Sequence, residues 1–108
     1  MRFLMTNMGG GKEPDEQLFA DMAAFVEELT KEGVLLATGG LGPASRLSSG
    51  DDGRITVTDG PFAEAKESVV GFALIDVRSR AEALELSERF VRIVGGGVTY
   101  MSEVFGPE

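Results

Sequence analysis

The sequence has 108 residues with a formal net charge of −8, and it contains neither cysteine nor histidine. This length accommodates one domain, over residues 1–108, and the missing residue types exclude disulfides, thiolate zinc sites, thiol nucleophiles and imidazole bases. The negative charge disfavours nucleic acid and anionic membranes as partners. No apolar run approaches the ~20 residues of a membrane span, and Met1-Arg2-Phe3 opens no signal peptide, so a cytoplasmic location is expected.

The first part of the chain has a strand–helix–strand pattern. Residues 3–8 predict a strand, which the glycines of residues 9–11 interrupt. Pro14 suits the first turn of a helix, and apolar side chains then follow at helical spacing until Gly33. Residues 34–38 predict a second strand, which the following glycines end or bend.

The second part adds a hairpin and a second strand–helix–strand unit. Residues 46–48 and 54–58 predict the arms of a β-hairpin with one polar face. Residues 69–75 form the most apolar strand, and Ser79 has the spacing to Glu82 of a helix capping box. Three glycines stop that helix, and the last strand is expected over residues 98–105.

The order of elements predicts an α+β fold: a ferredoxin-like βαββαβ plait with an inserted β-hairpin. Both helices of such a plait cover one face of the sheet. The strands at residues 3–8 and 69–75 carry apolar side chains on both faces, which is typical of strands that are covered on both sides. We therefore expect a homodimer in which the second face of the sheet packs against a second copy.

Two glycine-rich segments lack the features of nucleotide-binding loops. A phosphate-binding loop ending at Lys12 would need glycine where Thr6 stands and serine or threonine where Glu13 stands. No helix follows residues 39–42, whereas a dinucleotide site needs helix N–H groups aimed at the pyrophosphate. Residues 51–52 are expected to be turn residues, so the sequence predicts no metal and no cofactor.

Asp59 is the carboxylate that the sequence favours as a functional group. Because Pro61 has no N–H, the nearest forward donors for Asp59 are the N–H groups of residues 62 and 63, which it would cap. In a second interpretation Asp59 lies at the mouth of a cleft as an acid, a base or a ligand anchor. Lys66 and Arg54 are the cations placed to assist it, with Asp59 and Lys66 as candidate catalytic residues and Arg54 as a ligand-binding candidate.

Phe62 and Glu103 complete the set of candidate ligand-binding residues. Phe62 either fills the core below the turn or lines an apolar pocket. Glu103 lies in an otherwise apolar strand, where it is either part of a polar site at a dimer cleft or an ordinary surface residue. The spacing leaves both alternatives open for each residue.

The chain resembles the DGPF-motif subgroup of the YCII-related family in the run Asp59-Gly60-Pro61-Phe62-Ala63-Glu64, with Lys66-Glu67 and Gly71-Phe72 behind it. The resemblance implies a dimeric α+β barrel of ferredoxin-like subunits, with an active site in a cleft by the dimer interface. Some members of the superfamily pair a histidine with an aspartate. That role does not transfer to a chain without histidine, and Asp59 alone matches by motif.

Two functional hypotheses follow from the sequence and the resemblance. In the first, the homodimer binds a small molecule near the dimer interface, with weak acid–base chemistry on Asp59. In the second, the chain is a non-catalytic accessory module that binds a protein partner, for example in sigma-factor-linked transcription control. The net charge of −8 is compatible with a basic partner.

Overall fold

The computed structural model describes residues 1–60 and 69–106, which contain six strands and two helices. In chain order the elements are β1 (Arg2–Asn7), α1 (Glu16–Lys31), β2 (Leu35–Gly40), β3 (Ser45–Ser49), β4 (Ile55–Asp59), β5 (Gly71–Asp76), α2 (Arg80–Val94) and β6 (Thr99–Glu103).

Four strands form one sheet in the order β2-β5-β1-β6, and every neighbouring pair is antiparallel. This order, with one helix after β1 and another after β5, is that of a ferredoxin-like plait. Within the described residues, strands β3 and β4 pair only with each other, in a separate two-stranded sheet. The predicted α+β plait with an inserted hairpin is therefore confirmed.

Helix α1 begins after Asp15, whose carboxylate accepts a hydrogen bond of 2.8 Å from the N–H of Leu18. This contact satisfies one of the N–H groups that the first turn leaves unpaired. The prediction that Pro14 lies in the first turn is wrong, because Pro14 precedes this cap. The helix ends at the predicted place, because Gly33 has a left-handed φ of 73° that stops the helical path. Phe25 and Leu29 bury the apolar stripe of the helix.

Helix α2 confirms the helix start predicted at Ser79. The Ser79 hydroxyl oxygen accepts a hydrogen bond of 3.1 Å from the N–H of Glu82. At the other end, Gly95 adopts the left-handed conformation that ends the helix, as the run of glycines indicates. No helix in the described part of the chain is long and apolar enough to span a membrane.

The hydrophobic core lies between the two helices and one face of the sheet. Ladder partners Phe3 and Ile75 are almost fully buried, and Phe25 and Leu29 pack on them from α1. Leu86 closes the core from α2. Both helices therefore cover the same face, and no helix in the described part of the chain covers the opposite face of the sheet.

Strand β2 is longer than the sequence suggests. It runs to Gly40, since Gly39 and Gly40 stay in the ladder opposite Phe72 and Gly71. Their backbone groups form the ladder hydrogen bonds, which do not require a side chain. At Gly39 the missing side chain also matters for packing. A Cβ there would lie 3.3 Å from Cε1 of Phe72, so the glycine leaves room for the aromatic ring.

The hairpin, residues 44–60, projects from the plait and is called the hairpin arm below. Its base is held by a hydrogen bond of 2.8 Å from the N–H of Gly60 to the carbonyl oxygen of Ala44. The radius of gyration of the chain is 16.0 Å, whereas a compact domain of this length has a value of about 13 Å. The excess indicates an extended shape, with extents of 48 × 37 × 19 Å.

Candidate functional site

The face of the sheet that points away from the helices is called the open face. Side chains of directly paired residues lie on the same face of an antiparallel sheet. Because Phe3 and Met5 point into the core, their neighbour Leu4 and its ladder partner Leu74 belong to the open face. By the same alternation the open face carries Leu4, Thr6, Phe72, Leu74, Tyr100 and Ser102.

The centre of the open face is apolar. Leu4, Phe72 and Leu74 are half-buried there by their sheet neighbours, and no helix covers them in the described part of the chain. Tyr100 stands at the border of this face on the edge strand β6 and is 59% exposed. The two central strands thus carry apolar side chains on both faces, as their sequences predict.

A groove of about 530 Å³ runs between helix α2 and the edge strand β6. Leu84 and Val91 line it from the helix and Met101 from the strand, while Arg80 and Arg92 stand towards its two ends. We call it the α2–β6 groove. The hydroxyl oxygen of Thr99, which also lines it, is buried without a hydrogen-bond partner in the described part of the chain.

Asp59 is the last residue of β4, at the base of the hairpin arm, and its side chain is exposed. One carboxylate oxygen accepts a hydrogen bond of 2.7 Å from the hydroxyl of Ser45, its ladder partner on β3. This bond orients the carboxylate across the arm. The alternative in which Asp59 caps residues 62 and 63 falls outside the described residues.

Arg54 lies at the opposite end of β4 from Asp59. They are five residue steps apart along extended chain, a distance of about 17 Å. The Arg54 side chain is instead 3.5 Å from a carboxylate oxygen of Asp52 in the tip of the arm. The backbone N–H of Arg54 donates a hydrogen bond of 3.0 Å to the same carboxylate. The structure therefore does not bring Arg54 to Asp59 within one chain.

The remaining predicted site residues are Phe62, Lys66 and Glu103. Phe62 and Lys66 lie outside the described residues. Glu103 ends strand β6 opposite Phe3 and is exposed at the edge of the sheet. Within residues 1–60 and 69–106, no group of three or more acidic side chains is arranged to hold a metal ion.

The shortest ion pair among the described residues joins the two helices and lies outside the candidate site. The guanidinium of Arg89 donates two hydrogen bonds, of 2.7 and 3.0 Å, to the carboxylate of Glu28. These bonds lower the pKa of Glu28 and raise the pKa of Arg89. Arg89 also lies over the ring of Phe25, 4.8 Å from its centroid.

Three features of the site region are not predicted from the sequence. Ser45 is identifiable only from the register of the hairpin, which sets it opposite Asp59. The α2–β6 groove depends on the distance between a helix and a strand, which no spacing encodes. The alternation of Ile55 and Val57 does indicate a hairpin with one apolar face, but that face proves exposed rather than covered.

Comparison with known proteins extends these observations. The model of the YCII-related domain matches residues 1–100. An uncharacterized protein of Rhizobium meliloti (strain 1021) is 37% identical over 78 residues, which are 70% of this chain and 63% of the relative. The chain thus spans less than two thirds of the length of the curated relative it matches.

A solved structure shares the fold at low sequence identity. It is 5-chloro-2-hydroxyhydroquinone dehydrochlorinase (TftG) from Burkholderia phenoliruptrix AC1100, in complex with 2,5-dihydroxybenzoquinone. The superposition has a TM-score of 0.52 at 16% identity and covers 99% of this chain and 96% of the other. Since the family model matches nearly the whole sequence, the chain belongs to the YCII-related domain family.

Proposed function

We propose that this protein is a homodimer that binds a small organic molecule in a cleft beside the dimer interface. The observation that carries the proposal is the open face, whose apolar centre consists of Leu4, Phe72 and Leu74. Burying an apolar surface of this kind against a second copy removes it from water, which is the main favourable contribution to association.

The fold supports a small molecule as the ligand. The structural neighbour TftG is a dehydrochlorinase whose solved complex contains 2,5-dihydroxybenzoquinone, a small oxygenated ring. In this protein, aromatic side chains lie at the centre and border of the open face, at Phe72 and Tyr100. Flat apolar side chains with a few polar groups nearby are the usual lining of such ligand sites.

Asp59 is the carboxylate that the proposal assigns to the ligand. The hydroxyl of Ser45 holds one of its oxygens at 2.7 Å, which fixes the orientation of the group. An oriented, ionised carboxylate accepts a hydrogen bond from a ligand hydroxyl and can take up its proton as a general base. We also propose that the chain is a member of the DGPF-motif subgroup and that Lys66 assists Asp59.

The proposal is tested with 2,5-dihydroxybenzoquinone as the probe in isothermal titration calorimetry. The Asp59→Asn variant is expected to bind about tenfold more weakly, because a charged hydrogen-bond acceptor is lost. Glu13→Gln serves as the control, since Glu13 is also an exposed acid but precedes α1. Equal affinities of wild type and Asp59→Asn would contradict the role of Asp59. A light-scattering mass of one chain would contradict the dimer.

A further inference from the structure

The hairpin arm has one apolar face that its own chain leaves exposed. Leu47 and Val57 are ladder partners at the middle of the arm, and Ile55 lies on the same face towards the tip. Their exposed fractions are 64%, 59% and 59%, in that order. Arms of two strands are only marginally stable in water unless their apolar face packs on another surface. This face therefore requires a covering surface.

The opposite face of the arm is polar, which makes the two faces distinguishable by experiment. Arg46 and Thr58 are ladder partners there, as are Ser48 and Thr56. Alternation along β4 also places Arg54 on the side of these polar residues. The apolar face consequently contains no cation.

Acidic residues stand at both ends of the apolar face. Asp59 follows Val57 on the same side at the base, and Asp51 and Asp52 form the tip. Asp52 is in contact with Arg54, at 3.5 Å between the side chains. The surface that covers this face should therefore be apolar in its middle and positively charged at its ends.

The α2–β6 groove has this pattern of polarity. Leu84, Val91 and Met101 supply its apolar lining, between Arg80 and Arg92. Within residues 1–60 and 69–106, Arg80 forms no ion pair. Arg92 is 3.5 Å from Glu88, which is the acidic side chain of the groove, and both of these side chains are largely exposed.

The dimensions of the two surfaces also match. Arg80 and Arg92 are twelve residues apart on one helix, which corresponds to a rise of about 18 Å. The five-residue strands of the hairpin arm are about 17 Å long. An arm laid along the groove would thus set its acidic ends near the two arginines.

We propose that the hairpin arm of one copy lies in the α2–β6 groove of a second copy, and that the exchange is reciprocal. The arrangement is isologous, so each copy gives an arm and receives one, and the assembly closes as a dimer. This inference rests on the dimer of the proposed function and adds to it. The arm carries Asp59 to the second copy, so the ligand cleft would combine this carboxylate with an arginine of that copy.

The absence of native cysteine permits a direct test by disulfide cross-linking of the full chain. A disulfide forms where the two Cβ atoms approach to about 3.5–4.5 Å. One protein carries Val57→Cys on the arm, and the other carries Val91→Cys or Leu84→Cys in the groove together with an affinity tag. The two are mixed, allowed to exchange subunits, oxidised and separated on a non-reducing gel.

We expect Val57→Cys to form a disulfide with at least one of the two groove variants. The product should have the mass of the heterodimer and should disappear when a reductant cleaves the disulfide. Thr56→Cys is the matched control, since it lies one residue away on the opposite face of the arm. It should yield at least tenfold less of this product. Leu47→Cys provides a second arm position, and circular dichroism establishes that each variant is folded.

Light scattering on the same samples separates the two possible failures. A mass of two chains with no cross-linking of Val57→Cys or Leu47→Cys above that of Thr56→Cys would overturn the arm exchange and leave the dimer standing. A mass of one chain would overturn the dimer of the proposed function, and the exchange with it.

Discussion

At the scale of single residues, Arg89 connects the two helices through contacts of two kinds. Its guanidinium binds both oxygens of Glu28 and lies over the ring of Phe25. Bidentate pairing of this kind fixes geometry better than a single contact between a lysine and a carboxylate. The pair lies at the surface, with side-chain exposures of 38% and 44%, so it orients the helices more than it stabilises them.

The pair gives stability a defined pH dependence. Hydrogen bonds from Arg89 lower the pKa of Glu28 below its usual value of 4.5. A lowered carboxyl pKa in the folded state adds stability that is complete above the unfolded-state value and is lost as the pH falls through the folded-state value. We therefore predict that Glu28→Gln lowers the melting temperature at pH 7 and that the difference from wild type is lost as the pH falls through the folded-state pKa of Glu28.

Thermal unfolding followed by circular dichroism between pH 2 and pH 7 measures this difference. Glu27→Gln is the control, because Glu27 contacts Lys31 at 3.2 Å in a more exposed pair within one helix. Its effect at pH 7 should be smaller. A difference between Glu28→Gln and wild type that persists unchanged at pH 2 would contradict the prediction.

At the scale of elements, two glycine-rich connections hold each other in place. The loop after β1 meets the loop after α2, where the N–H of Met8 donates to the carbonyl oxygen of Val98 at 2.9 Å. Gly97 has a φ of 79°, and a Cβ at this position would overlap the carbonyl oxygen of Gly9. The glycines of these loops therefore serve close packing of backbone on backbone.

We predict that Gly97→Ala destabilises the fold by roughly 1–3 kcal/mol, because the variant combines an unfavourable φ with a backbone collision. Denaturation in urea provides the free energy of unfolding. Gly42→Ala is the matched control, since a Cβ there meets no atom within 4 Å. It should be neutral or stabilising by up to ~1 kcal/mol. Equal stabilities of the two variants would refute the packing role of Gly97.

Sequence patterns predicted the elements well where a local contact defines their ends. Ser79 and Gly95 mark the ends of α2 because a hydroxyl and a left-handed residue act within one turn of the helix. The end of β2 was less predictable. Gly39 reads as a strand breaker by itself, yet pairing with β5 and the ring of Phe72 keep it in the sheet.

At the scale of the whole molecule, two apolar surfaces are uncovered in the part of the chain that the structure describes, namely the open face and the apolar face of the hairpin arm. The extended shape, with a radius of gyration of 16.0 Å, reflects the arm that the plait does not cover. A monomer would expose both surfaces to water, at a cost that association removes. The proposed dimerisation should therefore contribute to the stability of the fold itself.

This reasoning predicts a melting temperature that depends on protein concentration. A tenfold increase in concentration should raise the melting temperature of the wild type by about 3–6 °C, because unfolding of a dimer releases two chains. Leu74→Lys should abolish this dependence by placing a charge at the centre of the open face. Differential scanning calorimetry at two concentrations measures both. A wild-type value independent of concentration would rule out folding coupled to association.

The sequence by itself determined the α+β plait, its inserted hairpin and the start of α2, since these depend on periodicity and on contacts within a few residues. It also determined that the central strands are apolar on both faces. Tertiary structure alone decided that Ser45 holds Asp59, that Arg54 lies at the far end of its strand, and that α2 and β6 enclose a groove. These facts depend on strand register and on the spacing of elements distant in sequence, which only the folded chain establishes.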